Sequence, residues 1–263
     1  MKVFLVIDEM VVGTGRVVIN SFISSKKFIV FLWTAMTQFH YAFKNFHFSI
    51  EQMHIIGITS IPLVATTSVF TGGVMAIQSI TQFGDYLPLR YAGMVVGKSV
   101  MLELGPVLTG LVVAGRVGAA MTAEIGTMAV TEQLDAMRCL NLNPYRFLIA
   151  PRLLAGMVML PVLYIYSSVV AILGALIILV TLKDLPTAIF FAGVRQFYSD
   201  LDMIVGLMKA LVFGIMITSF GCFFGYFSSH GAEGVGKATR SSVVASDISI
   251  LISGYFVSYL LLM

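Results

Sequence analysis

The chain has 263 residues, of which 58% are hydrophobic and 11% are charged. A soluble domain carries roughly 25% charged residues, so this chain has too few charges to cover a water-exposed surface. Its formal net charge of +3 provides no strongly basic face, which argues against nucleic acid binding, and two distant cysteines, Cys139 and Cys222, indicate neither a disulfide framework nor a zinc site.

Residues 1–50 form the first predicted unit. Basic residues alternate there with apolar clusters, and one apolar stripe recurs at helical spacing: Phe28, Phe31, Leu32, Ala35 and Phe39. This pattern predicts an amphipathic helix that lies in the membrane interface. A poorly formed sixth membrane span is the alternative.

Residues 51–263 form the second unit, a membrane domain. Two runs without Asp, Glu, Lys or Arg, residues 52–84 and 153–182, exceed the roughly 20 apolar residues that a helix needs to cross the hydrocarbon core. We predict an all-α integral membrane protein with the interfacial helix and five transmembrane helices, at residues 53–80, 99–122, 150–180, 203–227 and 241–262.

The basic residues indicate the orientation. With the N-terminus in the cytoplasm, eleven of the sixteen Lys and Arg residues fall on the cytoplasmic side and five on the other side. The positive-inside rule therefore predicts a cytoplasmic N-terminus and, after five spans, a C-terminus on the opposite side.

Small residues recur at four-residue spacing inside the predicted spans. The rows are Gly110, Ala114 and Gly118, then Gly115 and Ala119, then Gly221 and Gly225. Such rows let helix backbones approach closely in lipid, either within one subunit or between two subunits.

Two ionisable residues, Glu103 and Lys209, stand near the start of otherwise apolar spans. A charge inside a bilayer costs at least about 2.5 kcal/mol, so such a residue usually faces a partner or a wet cavity. The two residues could form an ion pair that lines a cavity. Alternatively, Lys209 snorkels to the interface and Glu103 is solvated there.

The connection between the second and third predicted spans carries the most charge. We expect Thr131 to cap a short helix, with Glu132 and Asp135 near its positive end. Leu134 and Met137 give this helix an apolar stripe. The pattern fits a surface helix on the membrane and equally a coupling helix that docks into a groove of a partner protein.

No catalytic motif emerges. Residues 93–99 resemble a phosphate-binding loop that is one residue short, and residues 231–238 end in Ala238, where a magnesium-binding hydroxyl is required. We therefore predict no enzyme activity, no cofactor and no metal site, and we place any ATP hydrolysis in another chain. A secondary transporter that uses Glu103 as an ion site is the alternative function, but the sequence lacks the internal repeat typical of that class.

Seven motifs in order resemble the Mla-type, MCE-associated phospholipid permease family from about residue 50 to the C-terminus. They begin at Glu103-Leu-Gly-Pro-Val-Leu, Ala114-Gly-Arg-Val-Gly, Ala123-Glu-Ile-Gly-Thr-Met, Thr131-Glu-Gln-Leu-Asp-Ala, Pro151-Arg-Leu-Leu-Ala, Lys209-Ala-Leu-Val-Phe-Gly and Gly234-Val-Gly-Lys-Ala-Thr. Leu102 and Ala210 depart from the family, which often has a basic residue and a serine at these two positions.

The resemblance implies the permease subunit of an ABC transporter in the bacterial inner membrane. It implies a homodimer, a cytoplasmic ATPase dimer, a periplasmic MCE-type lipid-binding protein and phospholipid as cargo. Glu103 and Lys209 would then be cavity residues. The residues assigned to ATPase coupling are Glu124, Thr131, Glu132, Gln133, Leu134, Asp135 and Met137.

Overall fold

The computed structural model describes residues 24–44, 46–83, 88, 90–183, 185–196, 198–229 and 231–263. The first helices are residues 24–37, His40–Lys44, Phe46–Ile56 and Ile61–Phe83, with a 3-10 turn at Ile58–Ser60. The helices Arg90–Ser99, Gly105–Val113 and Ala119–Val130 follow, joined by π-helical turns at Val100–Leu104 and Ala114–Gly118. The remaining elements are the helix Gln133–Cys139, the π-helical turn Tyr145–Ile149, and the helices Ala150–Lys183, Thr187–Gln196, Asp200–Tyr226 and Gly231–Leu262.

Five helical stretches are long and apolar enough to cross a membrane. We number them spans 1 to 5: Phe46–Gln82, Arg90–Val130, Tyr145–Lys183, Asp200–Tyr226 and Gly231–Leu262. The all-α class and the five predicted spans are confirmed, and no strand occurs in the described part of the chain. Spans 2 and 5 begin about ten residues before their predicted starts, because helical hydrogen bonding continues beyond the apolar segment that hydropathy detects.

The helix at residues 24–37 turns its predicted apolar stripe toward the protein. Phe31 and Ala35 are buried in the main core, and the Phe28 ring stacks on Phe220 of span 4 with centroids 4.4 Å apart. The opposite side exposes Trp33 and Met36. Apolar side chains on both sides suit a helix in the membrane interface, where Trp is enriched. Residues 1–23 of the predicted interfacial unit lie outside the described residues.

Glycines bring spans 1, 3 and 4 into close contact. A Cβ atom on Gly72 of span 1 would lie 1.8 Å from the carbonyl oxygen of Ala171 in span 3. A Cβ atom on Gly214 of span 4 would lie 2.3 Å from the carbonyl oxygen of Gly156 in span 3. Only glycine permits these approaches, so span 3 packs with backbone contact against both neighbours.

The small-residue rows of the sequence divide between two uses. Gly110 faces Phe213 of span 4, and Gly225 of span 4 faces Ile125, so these rows pack within the subunit. Gly115 differs, because a Cβ atom there would meet no atom within 4 Å. The row of Gly115 and Ala119 therefore leaves an open face on span 2.

Candidate functional site

Spans 2, 4 and 5 meet at an ion pair inside the membrane domain. The Lys209 side chain is 0% exposed and its ammonium donates to Oε1 of Glu103, whose side chain is 53% exposed. The same ammonium donates to the carbonyl oxygen of Leu102 at 2.8 Å, and the Ser258 hydroxyl donates to Glu103 Oε1 at 2.8 Å. The structure thus pairs the two charges, and burial contradicts the alternative in which Lys209 snorkels to the interface.

The backbone of span 2 explains why the lysine lies there. Pro106 has no amide hydrogen, so it cannot donate to Leu102 in an α-helical register or to Met101 in a π-helical register. Both carbonyl groups instead receive side-chain donors from neighbouring spans: the Lys209 ammonium binds Leu102, and the Tyr164 hydroxyl binds Met101 at 3.0 Å. The proline therefore creates acceptors that help to hold the buried ammonium.

A second link joins spans 2 and 4 near the same end. Lys98 Nζ lies 3.7 Å from Asp202 Oδ2, and Asp202 is buried. Asp202 also accepts a hydrogen bond from the Ser199 amide, as part of the capping box that begins span 4. The sequence analysis did not assign these residues, although the Ser-x-x-Asp spacing before an apolar run is a recognisable helix start.

The opposite end of span 2 carries another ion pair. Arg152 of span 3 is 2% exposed, and its Nη2 lies 2.7 Å from Oε1 of Glu124. Glu124 belongs to the helix Ala119–Val130 and not to the short helix Gln133–Cys139, and its assignment to ATPase coupling stays a prediction. Nothing in the sequence indicated this pair, because Glu124 and Arg152 are 28 residues apart and lie on different helices.

The role expected of Thr131 as a helix cap is wrong. Its hydroxyl donates to the carbonyl oxygen of Thr127 at 2.9 Å, so it belongs to the end of the preceding helix. Glu132 occupies the N-cap position of the helix Gln133–Cys139 with a φ of 59° and no side-chain cap. The chain changes direction at this left-handed residue. The Thr131 side chain therefore stays with the helix Ala119–Val130 and does not reach the start of the next helix.

The helix Gln133–Cys139 packs its apolar side on its own subunit. Leu134 is buried and Met137 is half-buried, whereas Gln133 and Asp135 are exposed. Leu134 therefore anchors the helix on its own subunit, and the exposed side of the helix includes both polar residues and Ala136.

Arg138 fixes the other end of this helix. It binds Asp135 at 2.7 Å and donates to the Tyr226 hydroxyl, a hydrogen bond that raises the pKa of the Arg138 guanidinium. The guanidinium stays charged at the negative end of the helix, where a cation is favourable. Asn141, with a φ of 59°, ends the helix before Asn143-Pro144.

No group of three His, Cys, Asp or Glu side chains in the described residues could hold a metal ion. The site is instead a buried cation with a half-exposed carboxylate and a hydroxyl, within apolar walls. Only the carboxylate of this pair is open to a ligand, because the Lys209 side chain is 0% exposed.

The amino-acid sequence matches one family of known proteins. Residues 49–260 match the model of the permease MlaE family. The chain is 42% identical over 211 residues to a probable ABC transporter permease protein of Rickettsia prowazekii, covering 80% of this chain and 82% of that protein. It is 41% identical over 213 residues to a probable ABC transporter permease protein of Synechocystis, with 81% of each chain covered. It is 34% identical over 209 residues to the intermembrane phospholipid transport system permease protein MlaE of Haemophilus influenzae, covering 79% of this chain and 80% of that protein.

The unequal burial of the ion pair yields a stability prediction. Glu103→Ala leaves the Lys209 ammonium buried without a counter-charge, whereas Lys209→Met leaves a carboxylate that already reaches the surface. We expect Glu103→Ala to lower the melting temperature in detergent more than Lys209→Met does. The double variant should melt above Glu103→Ala alone. Additive losses in the double variant would show that the pair is not coupled.

Proposed function

The chain belongs to the MlaE permease family, and on that premise we propose that it forms the membrane pathway of an ABC transporter that moves phospholipid. The observation that carries the proposal is the Glu103–Lys209–Ser258 cluster in an otherwise apolar membrane domain. The name of the Haemophilus influenzae relative supports phospholipid as the cargo. The half-exposed carboxylate can meet a headgroup amine, while Lys209 lies behind it as the compensating cation.

We infer that two copies of the chain enclose the lipid path. Span 5 is the least buried of the five spans. One side of it exposes a continuous apolar stripe of Ile248, Ile252, Tyr255 and Tyr259. Ser258 lies on the same helix and reaches Glu103, so a second copy packed along this span would place the polar cluster beside the dimer axis. Apolar walls around a few polar groups suit a ligand with two acyl chains.

The orientation and partners complete the proposal. The excess of Lys and Arg supports an orientation with the N-terminus in the cytoplasm and the C-terminus in the periplasm of a bacterial inner membrane. An ATPase dimer would then contact the cytoplasmic loops, and an MCE-type lipid-binding protein would lie at the periplasmic mouth near Glu103. The chain itself would be non-catalytic.

The helix Gln133–Cys139 is the proposed contact for the ATPase. It is fixed by Leu134 beneath and by the bond from Arg138 to Tyr226 at the end of span 4. Movement of the ATPase would therefore be transmitted to span 4, which also carries Lys209. Such a rigid connection can bias the membrane domain between two states with different affinity for lipid.

The polar cluster is tested by ATP-driven transfer of a fluorescent phospholipid from vesicles that contain the permease and its ATPase. Glu103→Gln and Lys209→Met should each reduce the initial rate by about tenfold, the usual effect of losing one charge-assisted contact. Lys183 is an exposed lysine at the end of span 3, on the same side of the membrane domain as Glu103. Lys183→Gln is therefore the matched control and should transport normally. Normal transport by both cluster variants, in folded complexes, would refute the assignment.

The docking helix is tested at its exposed side. Ala136→Glu adds a charge at an exposed position without touching the buried anchor Leu134. We expect the amount of ATPase that co-purifies to fall by about tenfold, since an unpaired charge in a docked surface is costly. Cys139→Ser, at another exposed position of the helix, should keep the ATPase bound. Equal recovery of ATPase with both variants would contradict the docking role.

The dimer is tested by disulfide formation in membranes, in a background with Cys139→Ser. Ile252→Cys lies on the exposed stripe of span 5 and should produce a crosslinked dimer under mild oxidation. Val162 is a similarly exposed apolar position on span 3. Val162→Cys therefore serves as the control for crosslinking by random collision. Crosslinking no stronger at position 252 than at position 162 would argue against this interface.

A further inference from the structure

A groove lined by both apolar and polar side chains opens between spans 1 and 2, at the end of the molecule where the N-terminal helices lie. It has a volume of about 80 Å³, and its lining includes Gln52, Thr59, Arg116, Ala120, Met121 and Glu124. Arg116 follows Glu103 by thirteen residues in span 2, a separation of about 20 Å at 1.5 Å per residue. The groove is therefore distinct from the Glu103–Lys209–Ser258 cluster.

Arg116 lies in this groove near one surface of the hydrocarbon core. Its Nη1 donates to the Ser60 hydroxyl at 2.8 Å. Ser60 directly precedes the helix Ile61–Phe83, whose 23 residues extend for about 34 Å. That length slightly exceeds the roughly 30 Å of hydrocarbon in a bilayer. The Ser60 end of the helix, and Arg116 with it, should therefore lie at the depth where the phosphates of one leaflet begin.

The backbone at Arg116 is a π-helical turn, Ala114–Gly118. Such turns are rare and often occur at functional sites. Two other π-helical turns in the described residues also carry ionisable side chains, Glu103 and Arg146. Glu103 is bound by Lys209, and Arg146 lies over the Tyr41 ring at 4.0 Å. Arg116 instead projects into the groove as an exposed guanidinium with no ion pair to a described residue.

The charges around the groove leave one positive charge uncompensated. Glu124 lines the groove, but its carboxylate is bound to Arg152, which is 2% exposed. Nε and Nη1 of Arg152 have no hydrogen-bond partner among the described residues. Two guanidinium groups and one carboxylate therefore carry a net charge of +1, which a single phosphodiester would neutralise. Guanidinium groups also match phosphate oxygens in a bidentate geometry.

We propose that this groove binds the phosphodiester of a phospholipid from the leaflet on the N-terminal side, with Arg116 as its principal ligand. Gln52 and Thr59 supply further polar atoms at the same place. Beyond Ser60, the helix Ile61–Phe83 exposes apolar side chains such as Leu63 and Phe70 at the depth where acyl chains would lie. The inference rests on the proposed function and adds to it a second headgroup site, about 20 Å from the Glu103 site.

The test uses the full chain in maltoside detergent and a phospholipid whose headgroup carries a photoreactive diazirine, followed by peptide mapping of the adducts. Adducts should map to residues 46–60 and 116–124. Arg116→Gln should lower their yield by about tenfold, and Arg116→Lys should lower it less because the charge remains. Arg195→Gln, an exposed arginine at the other end of the molecule, should leave the yield unchanged.

The inference would be overturned by equal groove adducts in the folded wild type and Arg116→Gln, by equal labelling with a diacylglycerol that carries the same diazirine, or by competition from inorganic phosphate as strong as that from phospholipid. A disulfide between the Ala120→Cys residues of two chains would also overturn it, since a second copy would then fill the groove. Lipid adducts near Glu103 and Ser258 report separately on the proposed function. Adducts near Glu103 and Ser258 without adducts in the groove would contradict only the groove site. The absence of adducts at both places would also contradict the proposed function.

Discussion

A lysine ammonium in a bilayer has to be surrounded by acceptors, because the surrounding lipid offers none. The 0% exposure of Lys209 therefore constrains how spans 2, 4 and 5 meet. Its acceptors are the Glu103 carboxylate and the Leu102 carbonyl, and Ser258 adds the third helix to the same carboxylate. The cluster joins these three helices, and it leaves the Glu103 carboxylate about half exposed to a ligand.

The second span has an unusual amount of polar chemistry for a membrane helix. Pro106 removes one backbone donor, and π-helical turns at Val100–Leu104 and Ala114–Gly118 place Glu103 and Arg116 at different depths of one helix. A regular helix of the same residues would satisfy its backbone but would direct these side chains differently, because each π-helical turn adds one residue. The irregular backbone is tolerated where neighbouring side chains supply the missing hydrogen bonds.

Packing inside the subunit leaves several surfaces of the described residues open, and two of them lie near polar residues. Glycines of spans 1, 3 and 4 pack against the backbone of a neighbouring span, as at Gly72 and Gly214. The face of span 2 at Gly115 and the apolar stripe of span 5 remain open. Both surfaces border the polar residues that we assign to lipid, and we propose that a dimer across span 5 and a lipid in the groove beside Arg116 cover them.

The sequence alone determined the class of the protein and the number and order of its spans, because the length and hydropathy of a membrane helix are local properties. It also identified the stripe from Phe28 to Phe39 and the two costly charges, Glu103 and Lys209. The division into residues 1–50 and 51–263 stays a prediction.

Only the tertiary structure decided which charge pairs with which, since Glu103 and Lys209 are joined by the crossing of spans 2 and 4, and Glu124 and Arg152 by that of spans 2 and 3. It likewise decided that Thr131 ends one helix instead of capping the next, because a left-handed backbone at Glu132 turns the chain there. Spacing along a chain reports neighbours on one helix, whereas ion pairs and open faces depend on how separate helices cross.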